Sequence, residues 1–142
     1  MGQIQKITST DAPQAIGPYS QAIAAGDFLF VSGQLPIDPK TGELIEGDIE
    51  AMTHQVIDNL AAILNAAGMT LSDVVKTEVF LKDMSDFQAM NRAYGKRFFE
   101  EPAPARQAIE AAKLPRNARI EISCIAYRRC TAKPPLKEQK GC

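Results

Sequence analysis

The apolar residues of this sequence change their spacing twice between residues 48 and 99, from a helical period to a strand period and back. In the first stretch they recur at steps of three and four, at Met52, Val56, Leu60, Ile63 and Ala67. Asp48 precedes this stretch as an N-cap, and Gly68 follows it as a residue that ends helices. The pattern therefore predicts an amphipathic helix between Asp48 and Gly68.

A strand and a second helix follow the first helix. Residues 74–83 alternate, and this spacing predicts a half-buried strand whose apolar face consists of Val75, Thr77, Val79 and Leu81. Ser85 and Gln88 have the spacing of a capping box at the start of the second helix. Its apolar stripe is expected to run to about Phe99 and consists of Phe87, Met90, Tyr94 and Phe98.

The remaining strands are predicted at 20–25, 28–34, 105–112 and 119–128, after an extended start that contains Ile4 and Ile7. Their order around the two helices indicates an α+β two-layer sandwich, with a mixed sheet and both helices on one face. The other face would then carry apolar residues such as Ile109, Ile120 or Ile122. We expect self-association to cover that face.

Composition restricts the class of protein further. The chain has 142 residues, 45% of them apolar, and a net charge of −1. This fits a single domain over residues 1–129, followed by a tail at 130–142 that is expected to be disordered. The near-zero charge argues against nucleic-acid binding, and no apolar run could span a membrane or serve as a signal-peptide core. A cytoplasmic location is expected.

Histidine and cysteine, the usual residues of metal sites and catalytic triads, are scarce in this chain. His54 is the single histidine, and it lies beside the apolar stripe of the first helix, where a solvated position is expected. Cys124, Cys130 and Cys142 have no zinc-ligand spacing and form a poor disulfide framework. We therefore expect no metal, and chemistry that depends on carboxylates, arginine, tyrosine or backbone groups.

Two charged residues are candidates for that chemistry. Arg106 begins a strand among small residues, where its planar guanidinium could bind a carboxylate through two parallel hydrogen bonds. Glu121 lies in an apolar strand, where burial would raise its pKa and make it a general acid or base. Taken singly, each residue is more often a solvated charge on the surface than a catalytic group.

Several separated blocks of the chain, in order across residues 3–129, resemble the RidA (YjgF) family of reactive-intermediate deaminases. The blocks are AIGPYSQA at 15–22, SGQLP at 32–36, VKTEVFLKDM at 75–84, DF at 86–87, MN at 90–91, PAR at 104–106, LP at 114–115 and IEI at 120–122. Blocks in register are far more specific than any one of them alone.

The resemblance implies a chorismate-mutase-like homotrimer with clefts between its subunits. It also implies hydrolysis of small 2-enamine or 2-imino acids, such as 2-aminoacrylate and 2-iminobutanoate, to 2-keto acids and ammonia. No cofactor is implied for the protein itself. The substrates would be released by pyridoxal-phosphate enzymes such as serine and threonine dehydratases, which gives a functional link to those enzymes.

The resemblance also assigns roles to particular residues. Arg106 matches the carboxylate-binding arginine, and Glu121 matches the acid that positions or activates the attacking water. Tyr19, Gly33 and Asn91 match pocket positions. One departure is that Gln107 and Ala108 follow the arginine, where many deaminases have Ser or Thr and then Cys or Thr.

Two other functions compete with imine hydrolysis. A non-catalytic small-ligand-binding or chaperone-like trimer would need Arg106 but not Glu121. Endoribonuclease activity is implied for some relatives, but the charge balance and the single histidine argue against it here.

Overall fold

Two helices lie across one face of a six-stranded mixed sheet. The computed structural model describes residues 3–129. The helices are α1 (Ile49–Ala66) and α2 (Phe87–Arg97). The strands are β1 (Ile4–Ile7), β2 (Ala22–Ala25), β3 (Phe28–Gln34), β4 (Ile37–Asp38), β5 (Glu43–Leu44), β6 (Val74–Leu81), β7 (Ala105–Glu110) and β8 (Ile120–Tyr127).

The order in the large sheet is β1-β2-β3-β8-β6-β7, and β4 pairs with β5 in a separate small sheet. Strands β6 and β7 run parallel because α2 connects them, whereas the other neighbours are antiparallel. The predicted α+β architecture with two helices on one face is confirmed. No helix in the described part of the chain is long and apolar enough to cross a membrane.

The first helix forms as its sequence predicts. Asp48 Oδ1 accepts a hydrogen bond from the Ala51 backbone N–H at 2.8 Å, and Gly68 has a φ of +75° just beyond the helix end. The stripe of α1 is buried against the sheet, with Val56, Leu60 and Ile63 fully inaccessible to solvent. This contact is the centre of the hydrophobic core.

The capping box predicted for the second helix is wrong. Ser85 and Met84 lie in a short 3-10 turn, where Asp83 Oδ1 accepts the Ser85 backbone N–H at 2.9 Å. Helix α2 begins after this turn and ends at Arg97, two residues before the expected position. Asp86, at the N-cap position, binds Arg119 Nη2 at 3.1 Å instead of capping the helix.

Two predictions about which face a strand residue occupies are also wrong. A β-bulge between Val74 and Lys76 interrupts the alternation, so Val74 is buried and Val75 is exposed. Ile120 and Ile122 are fully buried beneath the helices, not on the uncovered face. Strand β8 lies in the middle of the sheet, where the helices cover this set of its alternating residues.

The face of the sheet opposite the helices is still apolar, as expected. It carries the exposed residues Phe28, Phe30, Ile109 and Tyr127. The rings of Phe28 and Tyr127 lie 5.2 Å apart, and those of Phe28 and Phe30 lie 6.3 Å apart. We call this surface the open face. The tail at 130–142, with Cys130 and Cys142, lies outside the described residues.

Leu60→Ala should lower the free energy of unfolding by about 2–5 kcal/mol, because it leaves a cavity between α1 and the sheet. Urea unfolding at a fixed protein concentration would measure the loss. The exposed α2 substitution Lys96→Ala serves as the control, with an expected change of at most about 0.5 kcal/mol. Equal losses in both variants would contradict this assignment of the core.

Candidate active site

Arg106 lies at the start of the edge strand β7, and its guanidinium rests on side chains of α2. Its carbon Cζ is 4.8 Å from the ring centroid of Tyr94 and 5.6 Å from that of Phe87. Its Nη1 donates a hydrogen bond to Asn91 Oδ1 at 2.7 Å. Cation–π contacts and one amide hydrogen bond therefore hold a planar cation whose residue remains exposed.

Helix α2 presents this support because of its period. Phe87, Asn91 and Tyr94 are spaced by four and three residues, so they share one helix face. Tyr94 is fixed in turn by a 2.7 Å hydrogen bond between its hydroxyl and Thr77 Oγ1 in β6. Burial raises the pKa of Tyr94, so the phenol remains a neutral platform. We call Phe87, Asn91, Tyr94 and Arg106 the arginine half-site.

Glu121 lies on the open face, because its neighbours Ile120 and Ile122 point into the core. Its side chain lies directly over Gly33 in β3. A Cβ atom at Gly33 would be 2.8 Å from Glu121 Cδ, closer than real Cβ contacts allow, so a side chain at this position would displace the carboxyl group. Burial raises the pKa of Glu121. We call Gly33 and Glu121 the glutamate half-site.

Tyr19 lies in the loop that precedes β2 and is exposed. The next residue, Ser20, accepts a hydrogen bond at its carbonyl oxygen from Ser32 Oγ, at 2.6 Å. Ser32 is the neighbour of Gly33, and the β3–β8 register shifts between Val31 and Gln34. The loop with Tyr19 is therefore tied to the strand of the glutamate half-site, beside a β-bulge.

Within one chain the predicted site residues form two groups. Arg106 contacts Asn91, and Gly33 contacts Glu121, but the two half-sites lie on opposite faces of the sheet. The expectation of an arginine clamp beside a carboxylate is therefore not met inside a single subunit. Sequence reasoning placed the α2 aromatic residues in the core and missed their contact with Arg106. The sequence did contain a signal for this contact, because the spacing of Phe87 and Tyr94 relative to Asn91 places all three residues on one helix face.

The other residues considered for chemistry lie elsewhere. His54 Nδ1 is 3.4 Å from Arg97 Nη1, between the two helices. Cys124 is buried under the helices, and burial raises the pKa of its thiol to about 12, so it is a poor nucleophile. Among residues 3–129, no three His, Cys, Asp or Glu side chains converge to hold a metal ion. A cavity of about 710 Å³ near the start of β6 is lined by none of the five predicted site residues.

Fold and site geometry together define a small two-layer α+β protein that carries an arginine half-site and a glutamate half-site on opposite faces of one sheet. Comparison with known proteins narrows this class. The sequence profile of the family described as Endoribonuclease L-PSP matches residues 9–128. The chain belongs to this family, which is the RidA (YjgF) family of the sequence analysis.

The chain matches individual relatives over nearly the whole of their length. A RutC family protein of Pyrococcus horikoshii is 56% identical over 122 residues, which are 86% of this chain and 96% of the relative. The 2-iminobutanoate/2-iminopropanoate deaminase of Escherichia coli K12 is 46% identical over 125 residues, 87% of this chain and 97% of the relative. The crystal structure of RidA from an Antarctic Psychrobacter species has 46% identity and a TM-score of 0.83, covering 87% and 98% of the two chains.

Glu121→Gln should stabilise the fold at neutral pH. The pKa of Glu121 in the folded state is raised above its ordinary 4.5, so ionisation opposes folding once the pH exceeds that ordinary value. The Tm of the variant should exceed that of the wild type at pH 7.5, and the difference should vanish below about pH 4. The exposed substitution Glu100→Gln is the control. A gain that is independent of pH would contradict the linkage.

Proposed function

We propose that this protein hydrolyses small 2-imino acids to 2-keto acids and ammonia. The observation that carries the proposal is that one chain holds both an exposed, pre-oriented guanidinium and a partly buried carboxyl group of raised pKa. The first suits the acid group of a 2-imino acid, and the second suits activation of water. The name of the E. coli relative supports this choice of substrate.

The two half-sites would meet between subunits of a homotrimer. Each chain carries one half on the edge next to α2 and the other on the open face, so a neighbouring copy can bring them together without a change of fold. The exposed aromatic residues of the open face support such association, because burying them removes apolar surface from water. Three copies related by rotation would close the assembly and form three equivalent clefts.

In the proposed reaction, Arg106 binds the substrate carboxylate and directs the imine carbon toward Glu121 of the neighbouring copy. With the imine nitrogen already protonated, Glu121 removes a proton from a water molecule as the oxygen attacks C2, and this forms a neutral tetrahedral amino alcohol. Glu121 then returns that proton to the nitrogen and takes the hydroxyl proton as the C–N bond breaks, which releases ammonia and the keto acid. The proton left on Glu121 passes to solvent and restores the carboxylate. An enamine would first be protonated at its β-carbon to give the imine.

Substrate size would be set next to Arg106. Ala108 follows two residues later in β7, so its side chain lies on the same side of the strand. Its methyl group is small and packs on the core. Gln107 projects from the opposite side of the strand. It therefore does not obstruct the guanidinium, although it is larger than the Ser or Thr that many deaminases have at this position. The pair is therefore compatible with the deamination of small imino acids.

The two alternatives receive less support from the geometry. A ligand-binding trimer would need no carboxyl group held in a partly buried position against a glycine. A ribonuclease would need an acid–base pair and a basic surface, but His54 lies between the helices and the net charge is −1. Because the family is described as Endoribonuclease L-PSP, every assay should include RNA cleavage as a control.

Arg106→Ala should lower kcat/KM for 2-iminobutanoate at least about a hundredfold, because substrate positioning and a charge-assisted contact are both lost. Arg106→Lys should recover only part of this loss, since lysine retains the charge without the planar fork. The imine is generated in the assay by an amino-acid oxidase, and keto-acid release is followed with and without the protein. A wild-type rate for an intact Arg106→Ala assembly would remove Arg106 from the site.

Glu121→Gln should bind the keto-acid product nearly normally and hydrolyse the imine about 10²–10⁴-fold more slowly.

Mixing the Glu121→Gln variant with Arg106→Ala tests the shared cleft. In randomly mixed trimers, about a quarter of the clefts would combine the intact half of each variant and regain activity. Sedimentation equilibrium establishes the trimer in parallel. Failure of the mixed trimers to exceed either parent would contradict a site shared between subunits.

A further inference from the structure

Gln21 is a buried polar side chain whose side-chain hydrogen bonds all go to one loop. Its Oε1 accepts the Ser9 backbone N–H at 2.6 Å, and its Nε2 donates to Ser9 O at 3.1 Å and to Pro13 O at 2.7 Å. The residue is 4% exposed, and Ser9 is 6% exposed. A buried amide that satisfies three backbone groups is costly to replace, because each lost partner leaves a desolvated polar group.

The same residue also connects to the glutamate half-site. The backbone carbonyl of Gln21 accepts the Ser32 N–H at 2.9 Å, and Ser32 Oγ donates to Ser20 O. The loop that carries Tyr19 is therefore fixed at one end by the Gln21 side chain and at the other by the residue next to Gly33. Between these attachments the loop reaches solvent, where Ile16 is 87% exposed.

We infer that Gln21 is a positioning residue, which holds the Tyr19 loop in a fixed place beside the glutamate half-site. The inference rests on the proposed function for its kinetic consequence, but the ordering of the loop stands on the hydrogen bonds alone. On this view the loop is a preformed wall of the cleft, not a lid that closes on substrate. Strand β2 begins at Ala22, directly after Gln21, so the Tyr19 loop itself is not paired in the sheet and depends on these hydrogen bonds for its position.

Loss of the amide should act on substrate binding more than on the chemical step. Tyr19 belongs to the wall, whereas Glu121 is supported separately by Gly33 and β8. A loosened loop must be ordered again each time substrate binds, and this cost weakens binding. The expected signature is a raised KM with kcat largely retained.

The test compares Gln21→Met with the milder Ser32→Ala, which removes only the Ser32 Oγ bond to Ser20. The matched control is Thr53→Val, because Thr53 Oγ1 donates a buried 2.7 Å hydrogen bond to Ile49 O inside α1, and this bond involves no residue of the loop. Amide hydrogen exchange reports loop order, the imine assay gives KM and kcat, and calorimetry with 2-ketobutanoate gives Kd.

Gln21→Met should accelerate exchange in residues 8–20 and raise KM and Kd at least about tenfold, with kcat within about threefold of wild type. Ser32→Ala should change these values in the same direction by less, and Thr53→Val should change none of them. Unchanged exchange in both loop variants would overturn the inference, as would faster exchange with unchanged KM and Kd. If the wild-type protein neither hydrolysed imine nor bound keto acid, the proposed function would fail, and the exchange result alone would decide whether Gln21 orders the loop.

Discussion

The register of β8 in the middle of the sheet decides where the candidate chemistry lies. Side chains alternate along a strand, so burying Ile120 and Ile122 under the helices directs Glu121 to the open face. A slip of one residue would exchange these positions and place a carboxyl group in the apolar core. The packing of α1 against β3 and β8 therefore stabilises the fold and fixes the glutamate half-site in one step.

The arginine half-site depends on a different contact, between β7 and α2. Because β6 and β7 are parallel, α2 must cross over the sheet to connect them, and its aromatic side chains then lie beneath Arg106. Glu110 in β7 also accepts the Met84 backbone N–H at 2.8 Å, just before α2 begins. Connectivity and one edge hydrogen bond together set the place of the guanidinium.

The glutamate half-site and the open face around it carry features that do not favour the stability of an isolated chain. Glu121 has a raised pKa because its ionised form is partly desolvated, and the open face exposes aromatic rings. A cleft between subunits would make use of both features. The raised pKa makes the carboxylate of Glu121 a stronger base, and the apolar surface favours association. The Tyr19 loop, fixed through Gln21, would supply a wall of that cleft.

Much of this molecule could be read from the sequence, because local chemistry determines it. The period of α1, its Asp48 cap and the alternation of residues 74–83 predicted the helix, strand β6 and the α+β class, and the motif blocks identified the family and its candidate residues. Tertiary structure decided the rest. The β-bulge at Val75 and the engagement of Asp86 with Arg119 depend on distant partners. So does the separation of Arg106 from Glu121, because sequence order does not reveal which face of a sheet the helices cover.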